Sequence, residues 1–498
     1  MLRCSREKNI KDSENLLINE AYKMRNVYVA FQFDAEDFIT PETDDVLLEL
    51  INILDDHDVK GSFCIVSEKV RNLKKRGRTD VLESLKRHDI AYQSNLHSVH
   101  PVISEYLKDK EWEEGVEEVK KREGPGLELL KRVFDVNPSA FIQPGGSWAP
   151  ETPYALREMG VPVYVDGIFQ DSPVWFCGSL CFKAAMGFPE HSSFADLDAL
   201  KSRFDEIYNS KINGGLIAIY MHPCMFVTEK FWDAVNFSHG RNPFQGRLMP
   251  APLRSKEKIE ESLQVFRAFL SFILEHPNVK VVTFREVAEI YSDLKERRLS
   301  LDQIFTLAKR ATERNDWQII DGISISPAEM LRLFVELITN HLQREVEPKS
   351  IPIYFTLGPT SKPSETRIPR NINLDDVLEI SCIAKKFIDV HSEIPSIVAK
   401  DNIKCGPGVL LEVAAKVISY YSEHGSLPER IRVYGLPDIP EVVQRWDLIK
   451  RINEQWRWVI FPYGFKSKRI EELTLLQTWT MRPAVSVDND GGEREQDI

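Results

Sequence analysis

Short apolar runs alternate with amphipathic segments over the first 300 residues of the chain. Apolar runs of strand length lie at residues 27–33, 61–66, 90–92, 140–143, 161–165, 216–221 and 279–283. Between them, apolar residues spaced three and four apart predict helices at residues 43–57, 80–87, 111–134, 153–159, 256–275 and 285–294. Such alternation predicts parallel strands and right-handed crossovers. We therefore predict an α/β fold, a distorted (β/α)7-type barrel, with functional side chains at the carboxyl ends of its strands.

The pattern changes near residues 295–298 (KERR), a charge run beyond which regular strand alternation stops. The remainder has mostly helical spacing. We therefore predict a barrel over residues 27–298, preceded by an extension (1–26) and followed by a mainly helical domain (299–486). The polar end of the chain, residues 487–498, has the composition of a disordered tail.

The predicted helical domain contains a weak internal repeat. Residues 410–431 repeat the pattern of residues 377–398, and a fainter unit ends at Ile351-Pro352. Each copy has the pattern of a helix, a turn, an Ile-Pro or Leu-Pro pair and a short extended piece. One such unit cannot bury its apolar face alone, so we expect the copies to stack.

Composition and charge narrow the classes of partner. Lys and Arg together number 64 against 76 Asp and Glu, a net charge of −12 over 498 residues. This balance argues against a nucleic-acid partner and against an anionic membrane surface, because both require clustered cations. No apolar run approaches the roughly 18 residues of a membrane span, and the polar start of the chain predicts a cytoplasmic protein. Seven scattered cysteines do not form a disulfide framework. No pattern indicates an oligomeric state.

Two predicted strand ends carry groups that can bind cations. The first strand runs into residues 33–37 (FDAED), whose three carboxylates either face water or surround a cation. Beyond the third strand, residues 95–101 (NLHSVHP) contain His97 and His100. These histidines either present both imidazoles to one ion or lie separately as surface or capping residues.

Two later strand ends offer groups for a polar ligand. Residues 143–150 (QPGGSWAP) combine paired glycines, which permit close backbone approach, with Trp148, whose face suits a sugar. The other interpretation of these residues is a tight turn beside a tryptophan that lies in the core. His222 ends the run at 216–221 and is either an acid or base near neutral pH or a plain strand-end histidine. The order of these four signals on successive strand ends predicts one site.

Together these motifs resemble those of the polysaccharide deacetylases, carbohydrate esterase family 4 with its NodB-homology domain. That family carries T-F-D-D-G, G-H-E-I-G-N-H-[ST]-x-x-H, R-x-P-x-G and L-x-H in this order. Residues 33–34 (FD), 88–97 (HDIAYQSNLH), 141–146 (FIQPGG) and 220–222 (YMH) take those places here. The resemblance extends over residues 27–294.

The resemblance implies a metal-dependent hydrolase that removes N-acetyl groups from an amino-sugar glycan. Its substrate would be a carbohydrate or another N-acetylated amide, and its cofactor a divalent metal ion, zinc. By the same resemblance Asp34 is the general base and His222 the general acid. The positions implied to contact substrate are Gln93, Trp148, Gly146 and Asp37.

The metal ligands implied by the family are only partly kept in this sequence. The second aspartate of the family's first motif is replaced by alanine. Divergent members carry D-x-[DE], which nominates Glu36, with Asp37 as the second choice. Gln93 stands where the family has its first metal histidine, so the ligand set becomes Glu36, His97 and His100. An alternative alignment places His97 and His100 directly on the family's two metal histidines.

These departures keep other functions open. Besides Gln93, Ile142 replaces the arginine that pairs with the base in the family. One alternative is a catalytically degenerate carbohydrate-binding protein, and another is a hydrolase of a non-sugar amide. Residues 411–433 weakly resemble pseudomurein-binding repeats, which implies binding to a cell-wall or other glycan. A helical packing domain without a ligand is the other interpretation of that segment.

Overall fold

The computed structural model describes residues 25–293, 296–344 and 347–486. The predicted N-terminal extension up to residue 24 and the predicted disordered tail from residue 487 lie outside the described residues.

Strands and helices alternate through the first part of the chain, as the apolar pattern predicts. Its elements are, in chain order, β1 (Val27–Ala35), α1 (Glu42–Asp56), β2 (Ser62–Ile65), α2 (Ser67–Lys75), α3 (Thr79–Leu85), β3 (Asp89–Tyr92), α4 (Ile103–Leu107), α5 (Trp112–Phe134), β4 (Ala140–Ile142), α6 (Glu151–Glu158), β5 (Val163–Val165), β6 (Val174–Phe176), β7 (Ser179–Phe182), β8 (Met186–Gly187), α7 (Leu197–Ser210), β9 (Gly215–Met221), α8 (Pro223–Val227), α9 (Trp232–Asn236), α10 (Lys256–Leu274), β10 (Val279–Val281) and α11 (Phe284–Ile290).

Strand β1 is the centre of one curled, mostly parallel sheet. It pairs with β9 along its length, while on its other edge it pairs first with β10 and then with β2. From β2 the parallel ladder continues through β3, β4, β5 and β7, and β9 continues into β8. The two ends of this ladder, β7 and β8, are joined by residues 183–185 alone, so the sheet curls round on itself. The predicted (β/α)-barrel class is therefore confirmed.

All nine side chains of β1 are buried. The strand has a neighbour on each edge. One of its faces packs against helices and the other against the barrel interior, so neither face meets bulk water. This explains why its sequence is an almost continuous apolar run. It also means that Asp34, the second-last residue of β1, is held in the ladder opposite Cys64 of β2.

The second part of the chain consists mainly of helices with short strands. Its elements are β11 (Arg298–Ser300), α12 (Leu301–Ala311), β12 (Gln318–Ile320), β13 (Ile323–Ile325), α13 (Pro327–Glu336), β14 (Ser350–Pro352), β15 (Asn371–Asn373), α14 (Leu374–His391), β16 (Val398–Lys400), β17 (Ile403–Cys405), α15 (Pro407–His424), β18 (Arg430–Arg432), α16 (Val442–Trp446), α17 (Leu448–Gln455), α18 (Lys468–Gln477) and β19 (Arg482–Pro483). Within the described ranges, no helix has both the length and the apolar character needed to cross a bilayer.

This part is built from two copies of one arrangement, strand–helix–hairpin–helix–strand. The first copy runs from β11 to β14 and the second from β15 to β18, and in each the first strand pairs antiparallel with the last. The hairpins β12–β13 and β16–β17 occupy equivalent places. Helices α12 to α15 bury their apolar faces in one shared core. The sequence repeats predicted at residues 377–398 and 410–431 fall on α14 with β16 and on α15 with β18.

Beyond β18 the chain returns to the barrel. Trp456, Ile460 and Phe461 belong to the same apolar core as the barrel strands, and β19 pairs antiparallel with β6. The core of the two-copy part is separate from that of the barrel. The predicted division after residue 298 stays a prediction. Residues 442–483, which we call the returning segment, pack largely against the barrel.

Glu151, at the start of α6, is a buried carboxyl whose oxygens accept no hydrogen bond from another described residue. Burial raises its pKa from 4.5 to about 8. The folded chain therefore keeps this proton over a pH range in which the unfolded chain releases it, so stability falls as the pH rises between those two values. We expect Glu151→Gln to retain more stability than the wild type at about pH 8, by a few kcal/mol at most.

Urea unfolding of both proteins at about pH 5 and pH 8 measures this effect. The two are expected to differ little at the lower pH, because the wild-type carboxyl is then neutral in the folded state. An equal loss of stability in both proteins on raising the pH would contradict a buried neutral Glu151.

Candidate functional site

The carboxyl ends of the barrel strands open into one cavity of about 970 Å³. Active sites lie at this end of (β/α) barrels because the loops that follow the strands converge there. Both the barrel and the returning segment line the cavity. Its polar and aromatic lining includes Asp34, Glu36, Gln93, His97, Gln143, Glu190, Tyr220, His222, Phe231, Asp233, Glu454, Gln455, Arg457 and Trp458.

Asp34 and His222 come together because of the register between β1 and β9. Phe33 lies opposite Met221 in this parallel pair, so the next residue of each strand faces the cavity at the same level. The Nε2 atom of His222 is 3.8 Å from Oδ2 of Asp34. The structure thus brings together the two residues predicted as acid and base.

Neighbouring polar groups orient this pair. The Gln32 amide donates a hydrogen bond to Oδ1 of Asp34 at 2.9 Å. Oε1 of Glu190 lies 3.0 Å from Nδ1 of His222 and accepts a 2.6 Å hydrogen bond from its backbone N–H. The second ring nitrogen of His222 is therefore left to face Asp34. No sequence motif indicates Glu190, which lies in the loop after β8.

The surroundings raise the pKa of both groups and leave them in opposite charge states near neutral pH. Burial raises the pKa of Asp34 to about 6; His222 opposes this shift and the charge of Glu36 adds to it. Burial alone would lower the pKa of His222, but Glu190, Glu36 and Asp34 raise it to about 10. Near neutral pH, Asp34 is therefore a carboxylate able to take a proton, and His222 an imidazolium able to give one.

Glu36 forms a second buried pair with His97. Oε2 of Glu36 is 3.0 Å from Nε2 of His97, and it accepts a 3.3 Å hydrogen bond from the Gln93 amide. The Trp232 indole donates to the other oxygen at 3.1 Å. Burial alone would raise the pKa of Glu36, yet the charge of His97 holds it below its ordinary value. In return, Glu36 raises the pKa of His97 against the effect of burial.

The predicted ligand His100 does not join this pair. Its Nδ1 lies 2.7 Å from Oε2 of Glu105, the carboxyl oxygen that also accepts from the backbone N–H of Val102 at the start of α4. His100 does not line the cavity. The prediction that His100 joins Glu36 and His97 in a metal site is therefore wrong in this structure, because helix capping holds His100 elsewhere.

The side chains present do not fit the divalent ion that the resemblance implies. Within residues 25–293, 296–344 and 347–486, no three side chains of His, Cys, Asp or Glu are arranged to hold a metal ion. A catalytic zinc site uses three protein ligands and a water. Here Glu36 and His97 provide two strong donors. Gln93, beside them, has an unpartnered amide oxygen, which is a weak ligand for zinc.

Two of the predicted substrate contacts are structural residues instead. Asp37 is buried, and its Oδ1 accepts hydrogen bonds from the backbone N–H groups of Ile39 and Thr40, which fixes the turn before α1. Trp148 is fully buried and donates from its indole to Oγ1 of Thr474 at 2.9 Å. Neither lines the cavity. The predicted roles of Asp37 and Trp148 are therefore wrong in this structure.

The other two predicted contacts, Gln93 and Gly146, do line the cavity. The reason for the paired glycines differs from the predicted one. Gly146 has a φ of +68°, and a Cβ there would lie 2.9 Å from the backbone oxygen of Gln455. A Cβ on Gly145 would lie 2.7 Å from the side chain of Ile460. The two glycines are therefore needed because a side chain at either position would collide with the returning segment.

Asp233 and Trp458 are site residues that the sequence did not reveal. Oδ2 of Asp233 accepts a 3.0 Å hydrogen bond from the Trp458 indole and a 3.4 Å bond from the Ser98 hydroxyl. That hydroxyl lies 2.7 Å from Nδ1 of His97. Burial, with the charge of Glu36, raises the pKa of Asp233. Asp233 lies between strands in the sequence and Trp458 in the second part of the chain, so no strand-end pattern marks either.

No family model matches the sequence, and no curated protein matches it. Among solved structures, the chain is similar to one described as a polysaccharide deacetylase from Mycobacterium smegmatis, at 17% identity and a TM-score of 0.35, over 54% of this chain and 91% of that one. A second, from Pseudomonas aeruginosa PAO1, is also described as a polysaccharide deacetylase, at 11% identity and a TM-score of 0.37, over 53% of this chain and 90% of that one. An allantoinase structure is also similar, at 11% identity and a TM-score of 0.37, over 53% of this chain and 89% of that one.

At these identities and TM-scores the likeness carries no conclusion about chemistry, which has to be inferred from the side chains. The curled parallel sheet and the motifs at its strand ends agree with the resemblance that the sequence predicts. The N-terminal α/β part of this chain is a curled, mostly parallel (β/α) barrel.

Proposed function

We propose that this protein hydrolyses an N-acyl amide, with N-acetyl groups on an amino-sugar glycan as its substrate class. The observation that carries the proposal is the pair Asp34 and His222, 3.8 Å apart at the ends of adjacent strands and facing one large cavity. Their surroundings favour a carboxylate on one side and an imidazolium on the other. Amide hydrolysis needs both a base and an acid.

In the reaction we propose, Asp34 removes a proton from a water molecule as its oxygen attacks the acyl carbonyl carbon. The carbonyl oxygen becomes negatively charged in the tetrahedral intermediate. The imidazolium of His97, which Glu36 holds charged, lies in the same cavity and would stabilise that charge. His222 then gives its proton to the departing amine as the C–N bond breaks. No step depends on a divalent ion, which the side chains present do not fit.

The size of the cavity supports a sugar oligomer rather than a small ring amide. Its volume of about 970 Å³ lies at the upper end of the roughly 300–1,000 Å³ typical of ligand pockets. Aromatic side chains, among them Tyr220, Phe231 and Trp458, line it beside the polar groups. Such a mixture suits ligands with both apolar faces and hydroxyl edges.

A second candidate function is carbohydrate binding without hydrolysis. One observation favours it: the charge of Glu36 is balanced by His97 and not by a three-ligand metal site. A cavity of this kind would still hold a glycan while lacking the strongest means of polarising a carbonyl. Glycan binding by the two-copy helical part remains a prediction from the sequence.

Incubation with N-acetylated chito-oligosaccharides, followed by measurement of released acetate, tests the proposal. We expect acetate release that is insensitive to a chelator. Calorimetric binding of the same oligosaccharides without acetate release would support the second candidate instead. If the oligosaccharides are neither bound nor hydrolysed, both candidate functions are contradicted. Acetate release that a chelator abolishes would contradict the conclusion about the metal.

The pH dependence of kcat/KM provides a separate prediction. The rate should rise with pH through about 6, as Asp34 loses its proton, and fall through about 10, as His222 loses its own. The signs follow because the base must be unprotonated and the acid protonated in the free enzyme. A rate profile that is flat from pH 5 to 8 would contradict the role of Asp34.

A further inference from the structure

We propose that the returning segment completes the substrate site, with Trp458 as the surface on which a sugar unit beside the reacting unit lies. This proposal deepens the proposed function and rests on it. It assigns a binding role to residues 454–458, which we call the cavity wall segment. The first two of these residues end α17, and the other three lie between α17 and α18. The ligand chemistry is a neutral N-acetylated amino-sugar oligomer of at least two units.

The first support is the position of the segment. Glu454, Gln455, Arg457 and Trp458 all line the cavity that contains Asp34. The barrel loops alone therefore do not enclose the site. A substrate in the cavity beside the acid–base pair therefore has side chains within reach that come from beyond the two-copy helical part.

The second support is the firm anchoring of the segment. The Gln455 amide donates to the buried carboxyl of Asp166, at the end of β5, and the Trp456 indole donates to Ser104 at 3.0 Å. Gly145 and Gly146 leave room for its backbone and for Ile460. The cavity wall segment is thus part of a rigid site, so its side chains can hold a ligand without first being ordered.

The third support is a row of aromatic rings leading from the acid. The ring of Phe231 lies 4.8 Å from that of His222, edge to face, and the ring of Trp458 lies 5.4 Å from that of Phe231. The Asp233 carboxylate accepts a hydrogen bond from the Trp458 indole and so fixes the rotation of the ring. Trp458 keeps 38% of its surface exposed although it is anchored in this way.

This arrangement matches an oligomer better than a single sugar. The C–H face of a pyranose ring packs on an indole face, while its hydroxyls remain at the edge. Two ring contacts separate Trp458 from His222, so a unit stacked on Trp458 is not the unit whose amide lies beside Asp34 and His222. The polar side chains Glu454 and Arg457 on the same segment are exposed and free to meet hydroxyl groups.

The test compares Trp458→Ala with the wild type on the N-acetylated chitin tetramer and on N-acetylglucosamine. We expect KM for the tetramer to rise about tenfold, with kcat changed by less than about threefold, and little change for the monomer. Trp458→Phe should recover much of the tetramer affinity. Tyr463→Ala is the matched control, because Tyr463 is an exposed aromatic residue just beyond the cavity wall segment, stacked on His239 outside the cavity.

Calorimetric titration of the wild type and Trp458→Ala with the tetramer separates this proposal from the proposed function. Binding that weakens about tenfold in Trp458→Ala, without any acetate release by the wild type, supports the sugar surface and contradicts the hydrolase. Acetate release with unchanged KM and affinity in Trp458→Ala contradicts the sugar surface and leaves the hydrolase standing. A wild type that neither binds nor hydrolyses the tetramer overturns both.

Discussion

Replacing Asp34 by Asn is expected to lower the rate of acetate release by roughly 10²–10⁴-fold, the usual contribution of a positioned acid or base. The amide keeps the shape of the side chain but cannot take a proton from water. His222→Ala should cause a loss of similar size, because the departing amine then receives no proton from the protein. For both variants the measurement is kcat for acetate release from a chitin oligosaccharide, with KM determined separately.

Matched controls distinguish loss of chemistry from loss of structure. His191→Ala removes a neighbouring histidine that contacts the backbone oxygen of Thr228 and does not line the cavity. Asp45→Asn removes an exposed carboxyl on α1. Both controls should keep near-wild-type rates, and Asp34→Asn should unfold at a temperature close to that of the wild type or above it, since it replaces a buried carboxyl whose pKa is raised. Full activity in Asp34→Asn or His222→Ala would end the acid–base assignment.

Gln93→His is expected to create a metal site. The Gln93 amide already lies 3.3 Å from Oε2 of Glu36, and His97 lies 3.0 Å from the same oxygen. An imidazole at position 93 would add a third strong donor four residues before His97, the spacing of the family's first metal histidine. Zinc affinity should rise by roughly 10²-fold or more, because the ~10–16 kcal/mol of structural zinc binding is shared among about four ligands.

Equilibrium dialysis against zinc with elemental analysis measures this gain without any assay of activity. The double variant Gln93→His with His97→Ala is the control, because it restores the number of imidazoles to one. It should return zinc binding to the wild-type level. If Gln93→His binds no more zinc than the wild type, the alignment of position 93 with the family's metal histidine is wrong.

The acid–base pair is the part of the site that sequence reasoning located best. Asp34 and His222 each end an apolar run, and residues at the ends of adjacent parallel strands are neighbours once the register is set. The register of β1 with β9 then brings them to 3.8 Å. Glu36 follows at the alternate position of the same strand end and, like Asp34, lines the cavity.

His100 shows where this reasoning stops working. It lies in a turn rather than a strand, so its direction depends on local hydrogen bonds. The carboxyl of Glu105 attracts it and caps α4 at the same time. The spacing of three residues between His97 and His100 does not show whether His100 binds beside His97 or bonds to Glu105, because the same sequence allows either arrangement.

Trp148 and Trp458 show a second reason for failure. Both are large aromatic residues with a polar N–H, and composition does not distinguish a core tryptophan from a ligand platform. Trp148 is fully buried because Thr474, far along the chain, receives its indole N–H. Trp458 reaches the cavity because the chain returns to the barrel after its two-copy part. Contacts between such distant segments leave no periodic signal in the sequence.

The sequence by itself determined the parallel strand–helix alternation, the apolar first strand and the placing of Asp34 and His222 at strand ends, because hydrophobic periodicity is a local consequence of the backbone. Tertiary structure alone decided which side chains share the cavity. It paired Glu36 with His97, held His100 and Trp148 away, and brought in Asp233 and Trp458, because those positions depend on loop hydrogen bonds and on packing between residues hundreds of positions apart.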